Sequence, residues 1–291
     1  MSNPVEVSDS QIKSFCNCSR KWAYQKLLKL EPDEDKDTMI LGNAWHDGAE
    51  EYIKTGSMDK AIAAALAAIA KDKPGNAENQ KILVPSMLIG WATHFLPSFI
   101  KEYEYIALEE WFSVEPNPEI IRMRGYKDAV TRKRATGKRC VFDYKTTSDA
   151  YARDLMATLA SNNQLARYAS VERRVHGEWP EEVGLIFVFK PKSKDIMVAA
   201  ENSRCDPGLY RMAIQQVTPQ FAQFAIAVEA NDVLVAQQMK YYRDIVAQHG
   251  PIACDHIPAN FDNCFGYGKM CGFAQGCHSG NPIHRTLPSK A

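Results

Sequence analysis

An aspartate and a lysine stand two residues apart at the end of an apolar stretch, residues 141–147, and their side chains could serve hydrolysis of a phosphodiester bond. Side chains alternate along a strand, so Asp143 and Lys145 should project from the same face. A carboxylate can hold a divalent metal ion, and an ammonium can orient a water or stabilise charge on a phosphate. An exposed aspartate–lysine salt bridge would give the same pattern.

Other polar residues could join this pair. His46 lies one helical turn from Glu50, although a lone histidine is often only a hydrogen-bonded helix residue. Asp128 falls in a strand-like segment that precedes the apolar stretch. Gln164 and Tyr168 are one turn apart in a predicted helix, so they should share a face.

The surrounding segments predict how these residues meet. Strand-like sequence covers residues 105–114 and 120–130, and the apolar stretch at 141–147 follows after a basic loop. This order predicts an antiparallel meander. Asp128 and Asp143 should therefore lie on neighbouring strands.

Helices and further strands are predicted around the meander. Ser8 should cap a first helix that carries Phe15 and Trp22, and two segments near residues 58–71 and 80–103 predict a helical insertion beside the site. The remaining predictions are a helix at 155–171, a buried strand at 183–189, a shorter strand at 195–199 and a long helical region at 207–248 with a break near 218–219.

Charge is balanced over the whole chain but not locally. The 291 residues include 35 basic and 35 acidic residues, which argues against a general polycation. Residues 120–145 hold nine basic residues against two acidic ones, and such a local excess can attract nucleic acid. The predicted nucleic-acid contacts are Arg132, Lys133, Arg134, Lys138 and Arg139. A solvated hairpin tip is the alternative.

The cellular setting follows from what the sequence contains. Residues 2–13 are polar, and the longest apolar run, residues 61–70, is too short to span a bilayer, so we expect a cytoplasmic protein without a membrane partner. Eight cysteines in such a chain indicate metal or cluster ligation more than disulfides. No Walker loop occurs, so any unwinding of a duplex would need a partner.

Four cysteines lie in a glycine- and aromatic-rich region after residue 250: Cys254, Cys264, Cys271 and Cys277. Because this region has little hydrophobic periodicity, something other than an apolar core must order it. Four thiolates suit an iron–sulfur cluster or tetrahedral zinc; zinc ligands usually come as close pairs, and no C-x2-C occurs in this sequence. Cys254 could complete a local site, whereas Cys18 would pin the two chain ends together. Cys16, Cys140 and Cys205 are expected to be ordinary thiols.

The ordered set of motifs resembles the RecB-like branch of the PD-(D/E)XK nuclease superfamily. Its order is a helix with histidine, then G-x-x-D, D-x-K and Q-x-x-x-Y. The chain supplies these as His46, residues 125–128, residues 143–145 and residues 164–168. The resemblance implies that His46, Asp128, Asp143 and the backbone carbonyl of Tyr144 hold one or two Mg²⁺ or Mn²⁺ ions. It also implies that Lys145 positions the attacking water and that Gln164 and Tyr168 contact the substrate or brace the site.

The cysteines extend the resemblance toward both chain ends. Cluster-bearing members, including the CRISPR-associated nuclease and the AddB nuclease domain, have one cysteine before the core and three after it, which together hold a [4Fe-4S] cluster. Cys18, Cys264, Cys271 and Cys277 match that pattern. The C-x6-C-x5-C spacing departs from the tighter C-x2-C of several members.

The resemblance implies an α/β fold: a restriction-endonuclease-like core, that is, a central mixed sheet flanked by helices, with a helical insertion and a C-terminal cysteine-ligated cluster region. The expected organisation is an N-terminal helix at 1–40 carrying the first cluster cysteine, a nuclease core at 41–250 with an insertion near 55–104, a cluster region at 251–280 and a flexible tail at 281–291.

Three functions remain open at this point. The leading one is a metal-dependent DNA nuclease, expected to be an exonuclease on single strands or DNA ends, with a structural cluster and with a helicase, annealing protein or integrase-type protein as partner. The alternative is a nucleic-acid-binding subunit of a recombination, replication or CRISPR spacer-acquisition complex with vestigial or partner-dependent cleavage. A redox or iron sensor is the third.

Overall fold

The computed structural model describes residues 4–30, 37–72 and 74–260, together with the single positions 264, 271, 273 and 277. The chain divides into two compact units. Unit 1 comprises residues 1–35, 112–125 and 227–291, and unit 2 comprises residues 36–111 and 126–226. The residues predicted to be catalytic all lie in unit 2, whereas both ends of the chain belong to unit 1.

Six strands pair in one mixed sheet. The strands are β1 (Val5–Val7), β2 (Tyr103–Asn117), β3 (Ile121–Lys133), β4 (Arg139–Thr147), β5 (Glu182–Phe189) and β6 (Tyr210–Gln216). Their order is β1-β3-β4-β5-β6, with β2 paired to β3. β3 and β4 are antiparallel, β4 and β5 are parallel, and β5 and β6 are antiparallel. This mixed sheet with its flanking helices confirms the predicted α/β class and is consistent with a restriction-endonuclease-like core.

Helices fill most of the remaining described chain. They are α1 (Asp9–Asn17), α2 (Ser19–Lys26), α3 (Asp37–Thr55), α4 (Met58–Asp72), α5 (Ala77–His94), α6 (Leu96–Glu102), α7 (Asp149–Ala157), α8 (Asn163–His176), α9 (Ile196–Cys205) and α10 (Pro219–His249). Helices α4 to α6 occupy the segments predicted as a helical insertion. Among the described helices none is by itself long and apolar enough to cross a membrane; only α5 and α6, bent by 46° at their junction, pass that test as a pair.

Aromatic packing in unit 2 holds the neighbours of the predicted site residues. The Trp45 ring packs edge to face on Trp91 with centroids 5.5 Å apart and lies 5.2 Å from the Tyr144 ring. Such pairs contribute roughly 0.5–1.5 kcal/mol beyond area burial. Trp45 directly precedes His46 on α3, and Tyr144 separates Asp143 from Lys145 on β4. The core therefore fixes α3 against β4 at the point where polar side chains emerge.

β5 is buried at every residue, as its continuous apolar sequence predicts. It runs parallel to β4 with Asp143 in register with Leu185. A strand covered on both faces provides a rigid neighbour for β4.

Two predictions at the edge of the sheet are wrong. Residues 195–199, predicted as a strand, begin α9, because the Asp195 side chain caps this helix by accepting hydrogen bonds from the backbone amides of Met197 and Val198. The long helical region was predicted from residue 207, but β6 precedes it, and α10 starts only at Pro219. Pairing with β5 outweighs the weak local preference of this segment.

The N-terminal helix is also divided. Ser8 caps α1 as predicted, accepting a hydrogen bond from the Gln11 amide at 3.4 Å. The chain then becomes extended at Cys18, which ends α1 and caps α2. The break places the sulfur of Cys18 at the start of α2 instead of inside a continuous helix.

Candidate active site

Three acidic or histidine side chains from α3, β2 and β3 converge in unit 2. One ligand atom from each of His46, Glu109 and Asp128 lies within 4.8 Å of the other two. Nδ1 of His46 is 3.6 Å from an oxygen of Asp128 and 3.8 Å from an oxygen of Glu109. The site thus brings His46 together with two acids that lie more than 60 positions after it in the sequence.

Asp143 and Lys145 complete the pocket from β4. Nζ of Lys145 lies 2.5 Å from Oδ2 of Asp143, whose side chain is only 3% exposed. In the described part of the chain this oxygen has no aligned hydrogen-bond donor, although it is buried. A buried carboxylate oxygen left in this condition is suited to a metal ion.

The other oxygen of Asp143 is held from α8. Nε2 of Gln164 donates to Oδ1 of Asp143 at 2.7 Å and to the hydroxyl oxygen of Tyr168 at 3.0 Å. The Tyr168 hydroxyl lies 3.2 Å from Oδ1 of Asp143 and 3.2 Å from the backbone carbonyl of Tyr126. The predicted pair on α8 therefore orients Asp143 in this structure.

Electrostatics in the pocket reflect crowded carboxylates. Burial and the charge of Asp143 raise the pKa of Asp128 to about 7. Burial by itself would lower the pKa of His46, but the carboxylate of Glu109, 3.8 Å away, and the charges of Asp128 and Asp143 raise it. Neighbouring carboxylates disfavour one another's ionisation. They therefore favour a divalent cation, which would compensate their negative charge.

Glu109 is a site residue that was not predicted from the sequence. Its backbone is left-handed, with φ +46°, which is strained for a residue other than glycine. The buried positions of β2 change phase between Tyr103 and Phe112, and the adjacent acids Glu109 and Glu110 occupy that change. This interruption of the alternating pattern is the signal that could have identified Glu109.

Two other carboxylates that are near His46 and Glu109 in the sequence, Glu50 and Glu110, do not join this group. Glu50 forms an ion pair with Lys54 at 2.5 Å on the surface of α3. Glu110 pairs with Lys127 and lies 3.6 Å from Arg139. Adjacent residues of a strand diverge, so Glu109 and Glu110 serve different clusters.

Tyr144 fixes the geometry of Asp128 through its backbone. Its amide donates to Oδ2 of Asp128 at 2.8 Å, which joins β3 to β4 beyond their regular pairing. Its hydroxyl is 2.7 Å from the hydroxyl of Tyr105, inside the aromatic core. Coordination by the Tyr144 carbonyl stays a prediction.

The residues present fit a divalent cation. Mg²⁺ and Mn²⁺ prefer oxygen ligands, and Mn²⁺ also accepts imidazole. His46, Glu109 and Asp128 bring two carboxylates and one imidazole together, and Asp143 lies near enough that its charge raises the pKa of Asp128. Oδ2 of Asp143 is buried and has the ammonium of Lys145 beside it, so a metal cation and this ammonium could share the oxygen.

The predicted nucleic-acid contacts around the β3–β4 hairpin fall into two sets. Lys133 pairs with Glu182, and Arg139 donates from Nε to Glu172 at 2.6 Å, so both have acidic partners within the fold. Arg132, Arg134 and Lys138 are exposed. Their contact with nucleic acid stays a prediction.

A network of buried ion pairs lies next to the site and supports the strand that carries Asp128. The ammonium of Lys127, 1% exposed, pairs with Glu172, which is equally buried, and with Glu110. Arg139 also donates to Glu172. Because Lys127 directly precedes Asp128, this network fixes the part of β3 that carries the pocket carboxylate.

Lys127→Ala is expected to destabilise the fold by about 3–5 kcal/mol, because it removes one of the two cations that pair with the buried carboxylate of Glu172. The free energy of unfolding, measured with urea, tests this. Lys54→Ala is the matched control: its pair with Glu50 is largely exposed, so the loss should stay below about 1 kcal/mol. Equal, small effects of both substitutions would contradict the role of Lys127.

The same network predicts an acid-sensitive stability. Burial would raise the pKa of Glu172, but Arg139 and Lys127 hold it below its ordinary value. A carboxylate with a lowered folded pKa stabilises fully above its unfolded pKa, about 4.3, and the contribution is lost as the pH falls through the folded pKa. Glu172→Gln should therefore be less stable at neutral pH and show a flatter loss of stability in acid. Parallel pH curves for the two proteins would contradict this.

The four cysteines predicted to bind one cluster lie together in unit 1. Burial raises the pKa of the Cys264 thiol, and the charges of Cys271, Cys277 and Cys18 raise it further, so all four are electrostatic neighbours. The amide of Cys271 donates to the carbonyl of Cys264 at 2.7 Å. Cys254 is buried separately, and burial raises its pKa to about 11.

Hydrogen bonds prepare two of these sulfurs for negative charge. Sγ of Cys18 accepts from the amides of Lys21 and Asn260, each at 3.5 Å. Nη1 of Arg20 lies 3.4 Å from Sγ of Cys277. Donors of this kind stabilise thiolates, the form in which cysteine binds metals.

Comparison with known proteins gives the family. None of the curated proteins compared with the chain matches it. The family model of the PD-(D/E)XK nuclease superfamily matches residues 6–278, nearly the whole chain and all of the pocket described above. The chain belongs to the PD-(D/E)XK nuclease superfamily.

Proposed function

We propose that the protein is a metal-dependent nuclease that hydrolyses phosphodiester bonds in DNA, as an exonuclease on single strands or duplex ends. Membership of the superfamily supplies the reaction class and the use of divalent metals such as Mg²⁺ or Mn²⁺. The observation that carries the proposal is the convergence of His46, Asp128, Asp143 and Lys145 in one pocket. Glu109 adds a carboxylate to that pocket.

The proposed ligands of the metal are His46, Glu109, Asp128, Asp143 and the backbone carbonyl of Tyr144. When bound, the cation would offset phosphate charge and lower the pKa of a water. A histidine among oxygen ligands favours manganese slightly.

The protein's own groups would prepare the reacting atoms. Gln164 and Tyr168 bind Oδ1 of Asp143, which leaves Oδ2 available to the proposed metal ion. The ammonium of Lys145, next to that oxygen, would orient the attacking water and stabilise charge that develops on the phosphate. Preorganisation of this type accelerates reactions because little rearrangement is needed in the transition state.

Exposed basic residues of the β3–β4 hairpin, Arg132, Arg134 and Lys138, are proposed to follow the nucleic-acid backbone. Lys133 and Arg139 have acidic partners and would contribute mainly to the positive electrostatic field around the hairpin. Any unwinding would come from a partner such as a helicase, an annealing protein or an integrase-type protein in recombination, repair or spacer acquisition.

Cys18, Cys264, Cys271 and Cys277 are proposed to hold a structural [4Fe-4S] cluster. Zinc ligands usually come as close cysteine pairs, and these four cysteines contain no C-x2-C, which supports the cluster over zinc. The cluster would join the N-terminal segment to the end of the chain within unit 1.

The proposal is tested with purified protein, Mn²⁺ or Mg²⁺, and four DNA substrates: linear single strands, linear duplexes, and circular forms of each. Metal-dependent loss of the linear forms with the circular forms intact is the expected result. Cleavage of circles would replace the exonuclease assignment with an endonuclease. Binding without cleavage of any form would favour a nucleic-acid-binding subunit.

A further inference from the structure

Two large aromatic side chains are exposed beside the pocket. Trp111 on β2 is 50% exposed and Tyr126 on β3 is 53% exposed. Their rings pack edge to face with centroids 4.9 Å apart and an interplanar angle of 60°. Three of the chain's five tryptophans, Trp22, Trp45 and Trp91, are by contrast buried. An aromatic pair that is half exposed to water indicates a surface that would be stabilised by binding a partner.

Trp111 and Tyr126 each lie close in sequence to a proposed metal ligand. Trp111 is two residues beyond Glu109, and Tyr126 is two residues before Asp128. Two residues span about 6.6 Å of an extended strand. The backbone carbonyl of Tyr126 also accepts from the Tyr168 hydroxyl, which contacts Asp143. The rings therefore stand next to the proposed reaction centre.

We propose that Trp111 and Tyr126 form a stacking platform for an unpaired base of a single-stranded nucleic acid, next to the phosphate that is cleaved. This inference rests on the proposed nuclease function and adds the residues that select the substrate. An aromatic face binds any base, so the platform discriminates by strandedness and not by sequence.

The geometry favours a base over other occupants. An edge-to-face pair leaves ring surface uncovered, and the carboxylates of Glu109 and Asp128 nearby can meet a phosphate only through a cation. A strand whose phosphate reaches that cation brings its adjacent base to the aromatic pair. A duplex keeps its bases stacked on each other and would have to fray before using the platform.

Equilibrium binding separates the platform from catalysis. In a Lys145→Ala background, which keeps the proposed metal ligands, and with Ca²⁺ in place of Mn²⁺ or Mg²⁺ to suppress turnover, a labelled oligo-dT and an abasic oligonucleotide of equal length and charge are titrated. Trp111→Ala and Tyr126→Ala are each expected to weaken oligo-dT binding roughly tenfold or more. The abasic strand should bind all three proteins about equally, because only the base contact is lost.

Two further variants sharpen the test. Trp111→Phe should keep most of the affinity but lose the quenching of tryptophan fluorescence by oligo-dT, since the quenched ring is gone. Tyr241→Ala removes another exposed aromatic side chain, 62% accessible on α10, and should bind like the background protein. Circular dichroism of each variant verifies folding.

Unchanged affinity of folded Trp111→Ala, or equal loss for oligo-dT and the abasic strand, would overturn the platform. Because binding is measured without turnover, that result is distinguishable from failure of the nuclease proposal, which would appear as no cleavage by the unsubstituted protein.

Discussion

Lys145→Ala is expected to reduce metal-dependent DNA cleavage by about 10²–10³-fold or more, while the protein still folds and binds Mn²⁺. The ammonium lies 2.5 Å from Oδ2 of Asp143, so its removal exposes a ligand oxygen instead of destroying one. The loss should therefore fall on kcat and not on metal affinity. Single-turnover cleavage and calorimetric titration with Mn²⁺ measure the two quantities.

Asp143→Ala provides the contrast, because it removes a proposed ligand and should lower both cleavage and Mn²⁺ affinity. Lys54→Ala is the matched lysine control on α3, outside the pocket, and should leave cleavage unchanged. If Lys145→Ala retained activity within a few-fold of the unsubstituted protein, the assignment of Lys145 to the reacting atoms would be wrong.

Cys264→Ser is expected to remove the proposed cluster and to destabilise unit 1 by several kcal/mol. Metal ligation that is coupled to folding contributes its binding free energy to stability. Cys264 is buried and has the other three cysteines as neighbours, so one substitution should disturb the whole set. Anaerobically purified protein should show iron, sulfide and a visible absorbance band that the variant lacks, together with a lower thermal midpoint.

Cys205→Ser is the matched control, because Cys205 is exposed on α9 and lies in unit 2. It should keep iron content and stability. Colourless protein with one zinc ion per chain would show that the four cysteines form a zinc site and not an iron–sulfur cluster. Cys254→Ser with the same loss as Cys264→Ser would instead mean that the wrong fourth cysteine was chosen.

The family could be predicted from the sequence, and candidate site residues could be named, because both depend on local patterns. The D-x-K pair lies on a single strand, and Gln164 and Tyr168 lie one turn apart on a single helix, so periodicity places each pair on one face. The apolar run that became β5 is similarly local. Errors occurred at β6 and α9, where sheet pairing and a capping aspartate outweighed weak propensities.

Sequence alone determined that a histidine, two aspartates and a lysine occur in the order of a nuclease, and that four cysteines flank this set. Only the tertiary structure decided that Glu109, and not Glu110 or Glu50, faces His46. The reason is physical: a left-handed residue in β2 shifts the alternation of side chains, and such a shift depends on the strands and helices packed around it. The exposed pairing of Trp111 with Tyr126 likewise arises from contact between two strands.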